Sequence, residues 1–380
     1  MKKFVYLCGM MLLCMNMMAQ IDLNDQNWDW NNSFIEEFNT SRTWDPSTWI
    51  SMPDMKWKAL SDNHVIHDTL CPNIYQYDHC VPDLANGVIK LVSEYAPERI
   101  RNHQYDLPNG EPFPNNGPYQ FLTGALRSLQ TFRYGYFEIR CKLPVHRGAF
   151  PSFWMHDSGS QPGNSFYESL DIFEYTWYIT VSGENPNPPG EGNKRCYTCG
   201  IHFNDTTNHS SNEDRFGKAY PMIPSWCTDL DNFHTFSCEW MPDHVIWYFD
   251  GVEMNRYDNP ANIPHRPHFI RATYNLDGYY NHNNIIWQGT DEMVIDYIKV
   301  RQLKWDCATD EVITCQSDLN GFDYAVKESI SITSTLGESV VSSSDKKTFR
   351  VTDSFVVTGP FTVNNGAEFT VIKQMCPPDE

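Results

Sequence analysis

Three carboxylates crowd into seven residues of this chain. They are Glu168, Asp171 and Glu174, within Tyr167-Glu168-Ser169-Leu170-Asp171-Ile172-Phe173-Glu174-Tyr175. A second negative charge disfavours ionisation of the first, so acids held this close drive one another's pKa upward. Such tuning is what general acid chemistry at neutral pH requires. The stretch reads as a strand, because Leu170 and Ile172 alternate with Ser169 and Asp171 at period two. Ser169 and Asp171 share a face. Glu174 lies three residues beyond Asp171 and would face the other way in a regular strand. A β-bulge near Ile172 or Phe173 returns it to the side of Asp171, and bulges are over-represented next to active sites. Glu168 falls on the opposite face, with Leu170 and Ile172.

The elements that must hold this strand are other strands. An opening strand is expected over Ser33 to Phe38, and a turn and strand over 85–93. Gly124 to Leu143 is strongly β, with Phe137, Ile139, Cys141 and Leu143 on one face. Gly148 to Met155, Gly200 to Asn204, Phe233 to Trp240, His244 to Phe249, Phe269 to Asn275 and Met293 to Val300 follow. Asp250-Gly251 between two alternating runs signals a hairpin. Long loops rich in Pro, Asn and Gly are expected at 96–120 and 181–200. No window of helical length carries apolar residues at helical spacing. Many short strands with Gly- and Pro-rich turns imply an all-β sandwich or barrel.

The acidic strand resembles the signature of glycoside hydrolase family 16: a nucleophilic Glu, an Asp two residues on, and an acid/base Glu three after that. Tyr134-Gly-Tyr-Phe-Glu138, Pro151-Ser-Phe-Trp154, Glu239-Trp-Met-Pro-Asp243, Trp247-Tyr-Phe-Asp-Gly251 and Ile295-Asp-Tyr-Ile-Lys-Val300 resemble that family's landmarks, in its order, over about residues 33–302. The resemblance implies a concanavalin-like jelly-roll β-sandwich with a carbohydrate groove, and an endo-acting hydrolase. The bulged spacing is similar to the agarase, porphyranase, carrageenase and laminarinase branch. A galactan such as agarose or porphyran is the first expectation, a β-1,3-glucan the second. Glu174 matches the acid/base and Asp171 the assisting residue.

The nucleophile position holds Ser169. Retaining enzymes need two carboxyl groups roughly 5–5.5 Å apart. With one bulge, positions 169 and 174 lie about 13 Å apart along the strand, a gap that two long acidic side chains can largely close. A short neutral hydroxyl cannot take that part without an activating base. Four readings stay open: a glycan-binding relative that no longer cuts, an active enzyme with its nucleophile removed, a local shift that brings in Glu168, or solvated structural acids. Strand parity opposes Glu168. Trp154 fits either sugar stacking or core packing. His202 fits either a groove contact or a hydrogen-bonded strand histidine. Arg147 and Arg127 are further substrate candidates, with solvated surface arginine as the alternative.

Composition bounds the rest. With 12 Trp and 20 Tyr among 380 residues, the chain is ring-rich and globular in type. Residues 1–19 read as a signal peptide, with Lys2 and Lys3 before an apolar run that ends at Ala19. An exported protein is expected, in the periplasm, at the cell surface or outside the cell. The net charge of −20 becomes about −22 once those two lysines are gone. That balance argues against nucleic acid and membrane partners and suits a polysaccharide or oligosaccharide. A monomer is expected and no cofactor is required. Structural calcium occurs in the resembled family, but no acidic loop here supports it. Ten cysteines beyond the leader permit disulfides, with Cys71–Cys80, Cys196–Cys199 and Cys307–Cys315 as the local pairings.

After Leu303 the aromatics thin out and Ser, Thr and Val dominate. Short strands are expected at Ser329–Thr333, Lys347–Thr352, Ser354–Thr358 and Glu368–Ile372, with turns at Ser342–Ser344 and Asn364–Gly366. The expected organisation is a leader at 1–19, a jelly-roll catalytic domain at 20–305, a linker at 306–319 and a small stacked β module at 320–380, with a spacer, secretion or stability role.

Overall fold

Alternating apolar side chains become strands, and the strands pair into two large sheets stacked face to face. The computed structural model describes residues 28–29, 34–39, 57–59, 73–75, 77–101, 121–144, 149–157, 166–175, 197–205, 213–219, 227, 230–276 and 289–378. The expected leader at 1–19, Arg147, Cys71, Cys196 and most of both expected long loops lie outside these residues.

Among the described residues one sheet has ten strands and the other seven. The main path of the ten-stranded sheet runs Val252–Tyr257, Val245–Phe249, His234–Trp240, Gly135–Lys142, Thr290–Arg301, Val88–Tyr95, Phe121–Thr123 and Asn73–Tyr75. Phe34–Glu36 and Cys80–Asp83 pair alongside. The seven-stranded sheet has the order Glu213–Ala219, Tyr197–Asp205, Phe166–Tyr175, Ala149–Asp157, His268–Leu276, Ala125–Phe132 and Trp57–Ala59. The acidic strand therefore lies inside its sheet, with a neighbour on each side to fix its register. This is the expected jelly-roll sandwich, and the expected strands appear with ends shifted by a few residues.

The core lies between the sheets. Phe137, Ile139 and Cys141 from the ten-stranded sheet meet Phe153, Met155, Leu170, Ile201 and Ile270 from the seven-stranded one. The Asp250-Gly251 hairpin forms as expected, with φ of 45° and 75°. Positive φ at both central residues matches the twist of the flanking strands. Tyr134-Gly135 turns with positive φ at both residues, and a Cβ on Gly135 would sit 2.4 Å from the Arg301 carbonyl oxygen. That close approach of two backbones explains the glycine of this landmark.

The C-terminal residues form a different architecture. Trp305–Ile313, Val326–Ile332, Lys346–Val357 and Glu368–Lys373 make a parallel four-stranded sheet, and Ser339–Val341 pairs in parallel with Phe361–Val363. Successive chain turns thus stack on one another, around Phe322, Phe349, Ile330 and Ile332. The two strands expected at 347–352 and 354–358 are one continuous strand. The stretch 306–319, expected to link, instead supplies the first strand of this sheet and the helix Gln316–Gly321. Its polar composition hid a strand that is exposed on one side.

Expected disulfides need correction. Cys307 bonds Cys376, with Cα atoms 6.3 Å apart, and Cys315 is free. The stacked turns bring the chain's far end back beside Cys307, so proximity in sequence gave the wrong partner. Cys80 is a buried free thiol that donates to the Ala125 carbonyl, and Cys199 is also free and buried. The pairings Cys71–Cys80 and Cys196–Cys199 are therefore absent.

Candidate active site

The expected bulge is present. Asp171 pairs with Trp154 and the next pair is Phe173 with Phe153, so Ile172 is the extra residue on that side. On the other side Asp171 pairs with Gly200 and Glu174 with Thr198, leaving Ile172 and Phe173 opposite Cys199 alone. Both residues of the doublet are buried in the core. Their burial is the local reason for the bulge, since a regular strand would turn one of two adjacent apolar residues outward. Glu174 thereby joins Ser169 and Asp171 on the face turned away from the ten-stranded sheet, here termed the open face.

A bulge disrupts the ladder and leaves backbone groups to be satisfied elsewhere. Trp247, fully buried on the ten-stranded sheet, donates its indole N–H across the core to the Asp171 carbonyl oxygen at 2.8 Å. The tryptophan therefore holds the distortion that aims Glu174. Sequence reasoning marked Trp247 only as a landmark residue, with no site role.

Electrostatics set Glu174 apart from an ordinary carboxyl. Burial pushes the Glu174 carboxyl up to about 8, and the neighbouring Asp171 charge adds to the rise. His202, the Thr198 hydroxyl and Lys218 oppose it. Thr198 donates to Glu174 Oε2 at 3.1 Å. Asp171 Oδ2 lies 2.7 Å from His202 Nε2. A carboxyl that keeps its proton at neutral pH can hand it to a leaving oxygen, and a fixed carboxylate–imidazole pair beside it can steer that proton.

Ser169 is buried between two histidines, paired across the strands with His156 on one side and His202 on the other. Glu168 is on the other face. Its Oε2 accepts from the Arg266 backbone N–H at 3.4 Å, and burial raises its pKa. The parity argument against Glu168 as a stand-in nucleophile therefore agrees with the geometry.

Trp154 stands directly across from Asp171 on the open face and is half-buried, with the Arg271 guanidinium 4.9 Å from its ring centroid. It is not a core residue. Arg127 pairs with Arg271 in the next strand, so it shares this row at a distance from the acids. Sequence reasoning passed over Arg271, Thr198 and Lys218. Arg271 carried a signal, as a cation between Ile270 and Ala272 on a strand whose alternate residues are buried. Among the described residues no group of three or more His, Cys, Asp or Glu could hold a metal ion.

The sequence profile for glycosyl hydrolases family 16 matches residues 104–299, just over half of the chain. The chain belongs to glycosyl hydrolases family 16. Among curated relatives, it is 26% identical over 285 residues to Endo-1,3-1,4-beta-glycanase EglC of Rhizobium meliloti, covering 72% of this chain and 52% of that protein. It is 24% identical over 214 residues to the kappa-carrageenase of Pseudoalteromonas carrageenovora, covering 54% of this chain and 48% of that one. The chain spans about half the length of the curated relatives it matches. The laminarinase catalytic domain from Thermotoga maritima MSB8 superposes with a TM-score of 0.51 at 19% identity, covering 73% of this chain and 98% of that one, a likeness of fold.

Proposed function

We propose that this family 16 chain is an exported, endo-acting β-glycan hydrolase of the retaining type, whose turnover is impaired by Ser169 at the nucleophile position. One observation carries the reading: the bulge aligns Glu174 with Asp171 and position 169, and burial keeps Glu174 protonated at neutral pH. Glu174 is then the acid/base, and Asp171 with His202 the assisting pair. Trp154 offers a stacking surface beside the bond to be cut. Relatives named as an endo-1,3-1,4-beta-glycanase, a beta-glucanase and a kappa-carrageenase support a β-linked glycan. A galactan such as agarose or porphyran comes first, and a β-1,3-glucan second. The leader at 1–19 carries the proposal of export, and the protein is taken to act as a monomer.

A second reading is glycan binding without cleavage. It is favoured by Ser169 itself and by Glu168 being engaged with Arg266 on the other face. A relative named Gram-negative bacteria-binding protein 3, from Drosophila melanogaster, matches at 23% identity over 243 residues. The two readings part on one comparison. The chain and its S169E variant are incubated with agarose, porphyran, carrageenan and laminarin, and reducing ends are counted. Release by S169E alone, at least about a hundredfold above the parent, is the expected result. Equal release by the parent would overturn the assignment of position 169. Binding by both proteins with release by neither supports the second reading.

A further inference from the structure

The open face carries a row of cations that the chemistry at the acids does not use. Arg271 lies across from Trp154 and Arg127 across from Arg271 in register. Adjacent strands are about 4.8 Å apart, so Arg271 lies about 10 Å and Arg127 about 14 Å from the Asp171 position, running across the strands.

Each guanidinium is stacked on an aromatic ring. Arg271 sits 4.9 Å from the Trp154 centroid and Arg127 4.2 Å from the Phe269 centroid. Stacking uses the flat face of the group and leaves its in-plane N–H donors available. The Nε atoms of both arginines are buried and meet no acceptor. Among the described residues neither has a carboxylate partner, although acidic residues outnumber basic ones by 48 to 28. Burial holds the Arg271 pKa down to about 10, with the Tyr75 hydroxyl opposing the drop and Arg127 adding to it. Both groups remain charged at neutral pH. A desolvated, like-charged pair without a counter-ion is a cost to the fold. Planar forks of this kind match the oxygens of sulfate and carboxylate groups.

We infer that Arg127 and Arg271 form a subsite for an anionic substituent, a sulfate ester or a carboxylate, on a sugar bound along the open face away from the cleavage point. The inference rests on the reading of that face as a glycan surface. It selects acidic glycans over their neutral counterparts, and Trp154 and Phe269 keep the two forks flat and spaced while they wait for the anion.

The test uses the chain as it stands, in calorimetric titrations at low salt. Two matched pairs of ligands are compared: a sulfated galactan oligosaccharide with its desulfated form, and a uronate-bearing β-glucan oligosaccharide with its neutral parent. The anionic member of one pair is expected to bind at least about tenfold tighter, from charge-assisted hydrogen bonds gained on both forks. Which pair responds identifies sulfate or carboxylate. In R127Q and R271Q the ratio should fall toward one, while R271K should retain part of it. If the glutamine variants do not fold, the salt titration of the parent decides. Affinity for the anionic ligand alone should then fall as salt rises. Equal binding of both members, or weaker binding of the anionic one as the chain's overall charge would predict, overturns the subsite and leaves the glycan reading standing. No binding of any ligand overturns both.

Discussion

At the scale of single residues, Glu174 carries the proposed acid/base role. Its pKa rises from an ordinary carboxyl value to about 8, chiefly through burial and then through the Asp171 charge. In the unfolded chain the same group releases its proton near the ordinary value of about 4.5. Between those limits the folded state binds the extra proton, so this residue destabilises the fold progressively as pH rises from about 4.5 to about 8. E174Q cannot ionise and escapes that penalty. The Tm of E174Q minus that of the parent should therefore be constant below pH 4.5, grow through the window, and level off above pH 8. A flat difference across this range, measured by scanning calorimetry, would show that Glu174 titrates normally and is no poised acid. Ser169 belongs to the same scale. On the proposed reading, the hydroxyl at position 169 stands where a carboxylate would, one long side chain and one charge fewer, while Asp171, His202 and Glu174 are held by their own contacts.

The strand and its bulge are the unit at the next scale. Two consecutive buried apolar residues, Ile172 and Phe173, force the register shift, and Phe173 packs against Phe236 of the opposite sheet, the rings tilted with centroids 4.2 Å apart. The Trp247 indole completes the arrangement by satisfying the Asp171 carbonyl. W247F keeps a ring in the core but removes the donor. A buried carbonyl left without its partner costs about 1–3 kcal/mol, and the smaller ring adds a cavity. Urea denaturation should report a loss of at least that size. In the S169E background, W247F should lower kcat more than it raises KM, because the aim of Glu174 matters only as the bond breaks. Equal stability of W247F and the parent would mean that the bulge is held by core packing alone.

At the scale of the whole molecule, a sandwich and a stacked parallel module share a joint. Trp28, Tyr136, Met241, Ile246, Tyr248 and Leu303 pack with Val326, and the Cys307–Cys376 bond lies at its edge. The Arg133 guanidinium donates to the Pro378 carbonyl and Gln374 to Asp243, so the end of the module is fastened back onto the sandwich. The bond spans a sequence separation of 69 residues. Closing a loop of that length stabilises by about 4 kcal/mol in the chain-entropy account. C376S should therefore lower the stability of residues 305–376 by up to that amount, read as faster amide exchange there than in the acidic strand. Uniform exchange changes across the whole chain would instead mean that sandwich and module unfold as one unit.

The sequence by itself determined the all-β class, the order of the strands along the chain and the hairpin at Asp250-Gly251. Even the bulge was legible, because a three-residue step from Asp171 to Glu174 across an apolar doublet conflicts with period two. These are local properties, written in alternation and spacing. Tertiary structure alone decided what depends on which strands become neighbours. The Cys307–Cys376 pairing follows from stacked turns that return the chain to Cys307, and cysteine spacing carries no such information. The row of Arg271 and Arg127 beside Trp154 arises from register across three strands whose members are far apart in sequence. The Trp247 bond to Asp171 crosses from one sheet to the other, a contact that only the packing of the two sheets creates.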